Sequence, residues 1–218
     1  MPTEYSAIPR KSSCLSTTAL VVTGRIMALV MPVKIHTSQS SPLRIARVRT
    51  HHGGEIGMTL CPGKCGPGRH AWWDRCLRTD LQAIRQWDAQ ELLTLMEDHE
   101  LHSYGVAGLG EAAREVLGEP HWHALPIIDQ CAPGPAFERG WQQIAPRLHA
   151  RLSAGERIAV HCLGGLGRTG VVACRLLVET GVAPAEALSR VRKARPGAVE
   201  THEQARHVLA LQMSGRTV

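Results

Sequence analysis

Aromatic residues are scarce in this 218-residue chain, with one Phe, two Tyr and five Trp making up 4%. A core therefore has to be built from Leu, Val, Ile and Ala. Long hydrophobic runs are missing too. A membrane-spanning helix needs ~18 apolar residues, and the best stretch, Ala19 to Val33, is broken by Gly24-Arg25 and by Pro32. No Cys-x-x-Cys spacing occurs, so Cys61, Cys65 and Cys76, with His51-His52 or His121 and His123, make a poor zinc set. Neither a metal nor another cofactor is expected. Seven cysteines at irregular spacings are a poor disulfide framework. Free thiols suit a reducing compartment, and a cytoplasmic protein is expected.

Acids are nearly absent from the first 50 residues, where seven basic groups (Arg10, Lys11, Arg25, Lys34, Arg44, Arg47, Arg49) face Glu4 alone. The net charge of +6 comes entirely from this segment, since residues 51–218 hold 18 basic and 18 acidic groups. A neutral domain offers nucleic acid little. Neither nucleic acid nor a membrane is an expected partner, and a monomer is expected. The Ser-, Thr- and Arg-rich start has the composition of a targeting segment, but no amphipathic stripe or small-residue cleavage pattern. Residues 1–48 are read as a basic, disordered segment, or as upstream codons, and residues 49–218 as the folded domain.

From about residue 50 the pattern becomes regular. Strands are expected at Ile56–Leu60, Glu91–Met96 and Arg157–His161, with a buried extended segment at Trp122–Ile128. Helices are expected from Thr79-Asp80, with Leu81, Ile84 and Trp87 on one face, and over Glu111–Leu117. Further helices are expected over Phe137–Leu152 (Pro146 suggesting a kink), Thr169–Thr180, Ala185–Ala194 and Thr201–Met213. This alternation implies an α/β fold, a central parallel-rich sheet with helices on both faces.

The informative segment is Arg157-Ile-Ala-Val-His-Cys-Leu-Gly-Gly-Leu-Gly-Arg-Thr-Gly170. A cysteine six positions before an arginine is weak evidence alone, but none of the other six cysteines has this spacing. An apolar strand delivers Cys162 to its end, Gly164, Gly165 and Gly167 permit a tight loop, and a helix begins at Arg168-Thr169. Such a strand–loop–helix aims the backbone N–H groups of Leu163, Gly164, Gly165, Leu166, Gly167 and Arg168 at one point, an anion cradle. The cradle binds phosphate and favours a thiolate at Cys162, because helix N-termini and nearby cations stabilise thiolates. Arg168 supplies a planar fork matched to two phosphate oxygens. Thr169 can donate its hydroxyl to the Cys162 sulfur, and His161 can orient the loop and favour the thiolate. A nucleotide-binding loop of the kinase type is rejected, since it ends Gly-Lys-Ser/Thr and needs no cysteine.

Leaving-group departure needs a proton donor. Asp129 is the candidate, because it follows the buried run Leu125-Pro-Ile-Ile128 and opens the loop-like Gln130-Cys-Ala-Pro-Gly134. The competing reading is a turn-initiating Asp.

These residues resemble a known family. His161-Cys-Leu-Gly-Gly-Leu-Gly-Arg-Thr-Gly170 matches the signature loop of cysteine-based protein phosphatases. The Gly-Gly-Leu-Gly-Arg form is similar to the kinase-associated, cyclin-dependent kinase inhibitor 3 type of dual-specificity phosphatase. Gly57-Met-Thr-Leu-Cys-Pro-Gly-Lys64 resembles that family's opening strand and turn, and Leu125-Pro-Ile-Ile-Asp129 sits where the family carries its general acid. Gly197-Ala-Val-Glu-Thr201 resembles the segment after the penultimate helix, with Gln204 where a water-positioning Gln occurs. The resemblance covers roughly residues 50–213. It implies the cysteine-phosphatase fold, a phosphocysteine intermediate on Cys162, and hydrolysis of phosphotyrosine with phosphoserine and phosphothreonine in phosphorylated proteins. The first 45 residues match nothing in the family, and its small residues after the acid are replaced here by Gln130-Cys131.

Other readings stay open beside it. The loop could bind phosphoproteins without hydrolysing them, or belong to another Cys-x5-Arg enzyme such as a sulfur transferase or arsenate reductase. Cys131 could pair with Cys162 on oxidation, though a loop thiol without a role is the simpler reading. Arg190, Arg192, Lys193 and Arg195 read as a solvated basic face. No Lys or Arg lies between Cys162 and Arg168, which argues against polyphosphorylated inositides.

Overall fold

The computed structural model describes residues 34–68, 71–118 and 121–212. The disorder expected of the N-terminal segment thus falls, for its first 33 residues, outside the described ones, as do Cys14 and Met213. Eight strands and seven helices follow in the order β1 (Ile35–Thr37), β2 (Ala46–Arg49), β3 (Glu55–Thr59), β4 (Cys65–Pro67), β5 (Trp72–Asp74), α1 (Leu77–Gln86), β6 (Ala89–Thr94), α2 (Asp98–Ser103), α3 (Leu109–Leu117), β7 (Trp122–Ala124), α4 (Pro135–Ser153), β8 (Arg157–His161), α5 (Gly167–Glu179), α6 (Pro184–Ala194) and α7 (His202–Leu209).

Five strands form the central sheet in the order β2-β3-β8-β6-β7. Only the β2–β3 pair is antiparallel; β3, β8, β6 and β7 run parallel. The middle strand is the apolar Arg157-Ile-Ala-Val-His161, whose last four residues are buried. A strand covered on both faces needs such a continuous apolar run. Ile158 and Val160 face one layer with Leu148 and Leu152 of α4 and most of α5. Ala159 faces the other with Leu81 and Ile84 of α1 and Ala113 of α3. This is the α/β architecture expected. Helix α5 is buried nearly all round, through Val171, Val172, Ala173, Cys174, Leu176, Leu177 and Val178. Such a helix is a core element rather than a surface one, and each fully buried Leu or Val contributes about 1.5–3 kcal/mol.

Several boundaries differ from expectation. β2 pairs with β3 across Ala46–Arg49, so the boundary drawn at 48/49 falls inside a strand of the main sheet. Its Arg-Val-Arg pattern looked unstructured because only Val48 is buried on this edge strand. β6 begins two residues earlier than expected and ends at Thr94, while Leu95 and Met96 are buried beyond it. Helix α4 runs through Pro146. The segment Trp122–Ile128 is a strand only over β7, after which Leu125 and Ile127 donate to Thr94 and Leu95 carbonyls at 2.9 and 3.1 Å.

A second, small sheet, β1-β5-β4, was not anticipated. It is tied to the domain by Asp80 at the start of α1, which is 1% exposed. Asp80 accepts from Arg75 Nε and Nη2 at 2.7 and 2.8 Å, from Ser38 at 2.9 Å, and from the Gly63 N–H at 2.9 Å. Removing one partner of a buried, hydrogen-bonded pair typically costs about 3–5 kcal/mol. Asp80→Ala is therefore expected to lower unfolding free energy by about that amount in urea titration. A loss under ~1 kcal/mol, the range of an exposed pair, would show that Arg75 finds water instead.

Candidate active site

Cys162 follows the C-terminal end of β8 and is 4% exposed. The chain then turns through residues 163–166 into α5, which starts at Gly167, one residue before the expected Arg168. Gly165 has a left-handed backbone, φ +69°, and a Cβ there would lie 2.3 Å from the Thr59 carbonyl oxygen. No side chain fits, so glycine is what lets the loop fold back over the end of β3. Arg195, the residue that ends α6, donates from Nε and Nη2 to the carbonyls of Gly165 and Gly164, both at 3.0 Å. A guanidinium holding two loop carbonyls outward leaves the loop's N–H groups turned the other way. Arg192 likewise donates to the carbonyls of Ala198 and Val199. The run expected to be a solvated face is thus, at Arg192 and Arg195, a brace for the loop.

Arg168 is 1% exposed. Its Nη1 and Nη2 donate to both oxygens of Glu100 on α2, at 2.6 and 2.8 Å, and Nη1 also donates to the Ile127 carbonyl at 3.0 Å. Nη2 lies 2.9 Å from an Asp129 oxygen. The remaining donor, Nε–H, is buried without an acceptor. One edge of the fork is therefore held by Glu100, and the other, Nε with Nη2, is directed away from it. Glu100 was missed in sequence because its role depends on a contact between residues 68 positions apart. A capping box between Glu97 and Glu100 also fixes it at the start of α2.

Asp129 is 56% exposed at its side chain and shares Nη2 with Glu100. His161 is fully buried. Its Nε2 is 2.8 Å from the Thr94 hydroxyl and its Nδ1 3.4 Å from the Cys162 carbonyl. The Cys162 carbonyl can only accept, so in the neutral ring Nδ1 carries the hydrogen and Nε2 accepts from the Thr94 hydroxyl, which itself accepts from Trp122 Nε1 at 2.9 Å. Burial, and the charge of Arg168, push the His161 pKa down to about 4, the carbonyl bond opposing them. The ring is neutral at pH 7, so it orients Cys162 without adding the charge that would favour a thiolate. Thr169 Oγ1 is buried with no acceptor, and the hydrogen bond expected from it to the Cys162 sulfur is not formed.

Gln204, fully buried, accepts from the N–H groups of Glu200 and Thr201 and donates from Nε2 to the Cys131 carbonyl at 3.2 Å. A Cβ on Gly167 would come within 3.0 Å of its amide. Gln204 thus lies against the loop and against the segment after Asp129. Glu200 accepts the Gly167 N–H at 2.8 Å, a carboxylate at the positive end of α5. The six described cysteines are free thiols, and burial pushes the Cys61 thiol up, with charge on Cys162 adding to that shift.

Against solved structures, this fold is that of the cysteine phosphatases. A crystal structure of kinase associated phosphatase, with its catalytic-site cysteine replaced by serine, superposes with a TM-score of 0.65 at 23% identity, over 77% of this chain and 93% of that one. The family model described as PTP-SAK, Swiss Army Knife protein, DSP-PTPase phosphatase domain, matches residues 67–208. The chain belongs to this family of dual-specificity and tyrosine phosphatase domains. Mus musculus cyclin-dependent kinase inhibitor 3 is 26% identical over 132 residues, 60% of this chain and 60% of that protein. A Dictyostelium discoideum protein described as a probable protein tyrosine phosphatase type IVA A is 32% identical over 77 residues, 35% of this chain and 46% of that one. The chain spans about half the length of these two relatives. The kinship read from the signature loop is the one found.

The Glu100–Arg168 pair has a pH signature. Burial raises the Glu100 pKa, but the Arg168 hydrogen bonds and charge outweigh it, leaving the carboxyl below its ordinary 4.5. A group lowered in the folded state adds stability that is complete above the unfolded value and lost as pH falls through the folded one. Glu100→Gln should therefore cost at least about 1.5–3 kcal/mol at pH 7, the worth of a hydrogen bond to a charged group. The gap to the parent should narrow as pH drops below 4.5. Urea titrations at pH 7 and pH 3.5 check this, and a pH-independent gap would refute it.

Proposed function

We propose that this protein is a phosphomonoesterase acting on phosphotyrosine, with phosphoserine and phosphothreonine as further substrates, in phosphorylated proteins. The observation that carries the reading is the edge of Arg168. A buried guanidinium with Nε unsatisfied and Glu100 on its other side, on a glycine loop that begins at Cys162, suits a tetrahedral oxyanion. An unsatisfied buried donor costs about 1–3 kcal/mol, and a phosphoryl oxygen is the acceptor that relieves it.

The Cys162 thiolate attacks phosphorus, forming the S–P bond as the P–O bond to the leaving group breaks. Asp129 gives its proton to the departing oxygen, after exchanging its contact with Arg168 Nη2 for the substrate. Water then attacks the phosphocysteine, losing a proton to Asp129, and the S–P bond breaks to return the thiolate. Thr169, whose hydroxyl lacks an acceptor, can donate to the departing sulfur in that second step. The second N–H of the Gln204 amide, beyond the one given to Cys131, can orient the water. The backbone N–H groups of residues 163–166 and 168 supply the remaining stabilisation of the transferring group, that of Gly167 being held by Glu200. The route needs no cofactor. The phosphatase names of the relatives above support the substrate class, and the free thiols among the described residues suit a reducing compartment such as the cytoplasm. Among the described residues no helix is long and apolar enough to cross a membrane.

The test is hydrolysis of para-nitrophenyl phosphate by reduced, metal-free protein. Turnover is expected to be inhibited by vanadate and abolished by Cys162→Ser. Asp129→Asn should lower kcat about 10²–10⁴-fold, more for a phosphoserine peptide than for the good nitrophenolate leaving group. Folded protein that binds phosphate without turnover would make it a phosphate-binding module instead.

A further inference from the structure

Seven charged side chains are buried among the described residues, and six of them sit in ion pairs. Glu55 meets Arg49, Arg75 meets Asp80, Glu91 meets Arg147, and Glu100 meets Arg168. Lys64 is the seventh. It is 6% exposed, yet its ammonium makes no hydrogen bond or ion pair among the described residues; it lies over the Trp73 ring, 4.8 Å from the centroid. The stem is buried, but the ammonium is not among the fully buried atoms that lack a partner, so it keeps an open side on which to meet an anion.

Its position relates it to the loop. The Cys61 N–H donates to the carbonyl of Leu163, the residue after Cys162, at 3.3 Å, and the Lys64 N–H closes the turn back to Cys61 at 3.4 Å. Asp80 holds the Gly63 N–H of that turn at 2.9 Å, and the Arg75 N–H holds the Lys64 carbonyl at 3.2 Å. The turn is thus pinned on one side to the loop and on the other to a buried ion pair. Burial pushes the Lys64 pKa down, while charge on Cys61 and Cys162 works against that shift.

We propose that Lys64 is the second cation of the phosphate site, its ammonium binding an oxygen of the oxyanion held by the loop and Arg168. The assignment rests on the loop being the phosphate site. Lys64 supplies from outside the loop the charge that the Leu-Gly-Gly-Leu-Gly stretch lacks, as a point charge with three rotatable donors beside the rigid fork of Arg168.

Titration of tungstate, a phosphate-like oxyanion, into the full chain and into Lys64→Met tests this by calorimetry, with melting curves of both proteins. Lys64→Met is expected to bind tungstate about ten- to a hundredfold more weakly, the range of a hydrogen bond to a charged group. Its melting point should stay within about 2 °C of the parent's, because no protein anion loses its partner. Lys64→Arg, which keeps the charge, should bind more tightly than Lys64→Met. Equal affinity of parent and Lys64→Met overturns the proposal, as does weaker binding with a lowered melting point, which marks a structural role through Trp73. A parent protein that binds no tungstate overturns the reading of the loop itself, and this assignment with it.

Discussion

Arg168 has five N–H donors in one plane, and what the loop can bind depends on which of them the protein keeps for itself. Glu100 takes one edge in two hydrogen bonds of 2.6 and 2.8 Å, and Ile127 a third at 3.0 Å. With those bonds made, the guanidinium cannot rotate, and Nε and Nη2 face the other way. A lysine at 168 could be neutralised by Glu100 but could not be aimed by it, since its donors rotate about one atom. Glu100 in turn owes its place to the first turn of α2, where its side chain accepts the Glu97 N–H at 2.9 Å. The site thus depends on a six-residue helix that follows the C-terminal end of β6, the neighbour of β8.

The loop itself is held from three directions. Below it, Gly165 rests on the Thr59 carbonyl at a distance that excludes any side chain. At the side, Arg195 fixes the carbonyls of Gly164 and Gly165. Across the helix start, residues 198–200 press on α5, with the Val199 N–H bonded to the Leu166 carbonyl at 3.3 Å. Val199 has a φ of 59°, a conformation a β-branched residue adopts at a cost of about 1–3 kcal/mol. Gly170 makes room for it, since a Cβ there would lie 2.8 Å from the Val199 nitrogen. Strain at Val199 and the missing side chain at Gly170 are two sides of one close approach, which brings Glu200 to the Gly167 N–H.

Cys162, Arg168 and the glycines between them were legible because strand, loop and helix are consecutive in the chain and leave a local signature. Asp129 was legible as a residue after a buried run, and its 2.9 Å contact with Arg168 brings it to the same guanidinium. What was hidden shares one property. Glu100 and Arg195 act on the loop from other elements, and the turn that carries Lys64 is bonded to it through Cys61, yet nothing in their neighbours announces it. Glu97-Asp-His-Glu100 reads as a polar connection, and the basic run around Arg195 as solvent-facing. Lys64 follows a Cys-Pro-Gly turn that signals only a change of direction. The hydrogen bond expected of Thr169 was not fixed by the spacing either. The Thr169 hydroxyl need not reach the sulfur seven residues earlier, and in this structure it has no partner.

The neutrality of the domain now has a structural counterpart. Around the loop, Arg168 is met by Glu100 and Asp129, and the Gly167 N–H by Glu200. Carboxylates therefore cancel much of the charge that they position, which weakens the long-range field of Arg168. Attraction has to come at short range, from donors whose directions are fixed in advance. The loop N–H groups qualify because Arg195 holds the opposing carbonyls, and the Nε edge qualifies because Glu100 holds the opposite one. Such dipoles cost no reorganisation when the ligand arrives. On the proposed reading of the loop, donors fixed in this way would select an anion by its shape more than by its charge, a tetrahedral oxyanion over a planar carboxylate of the same sign.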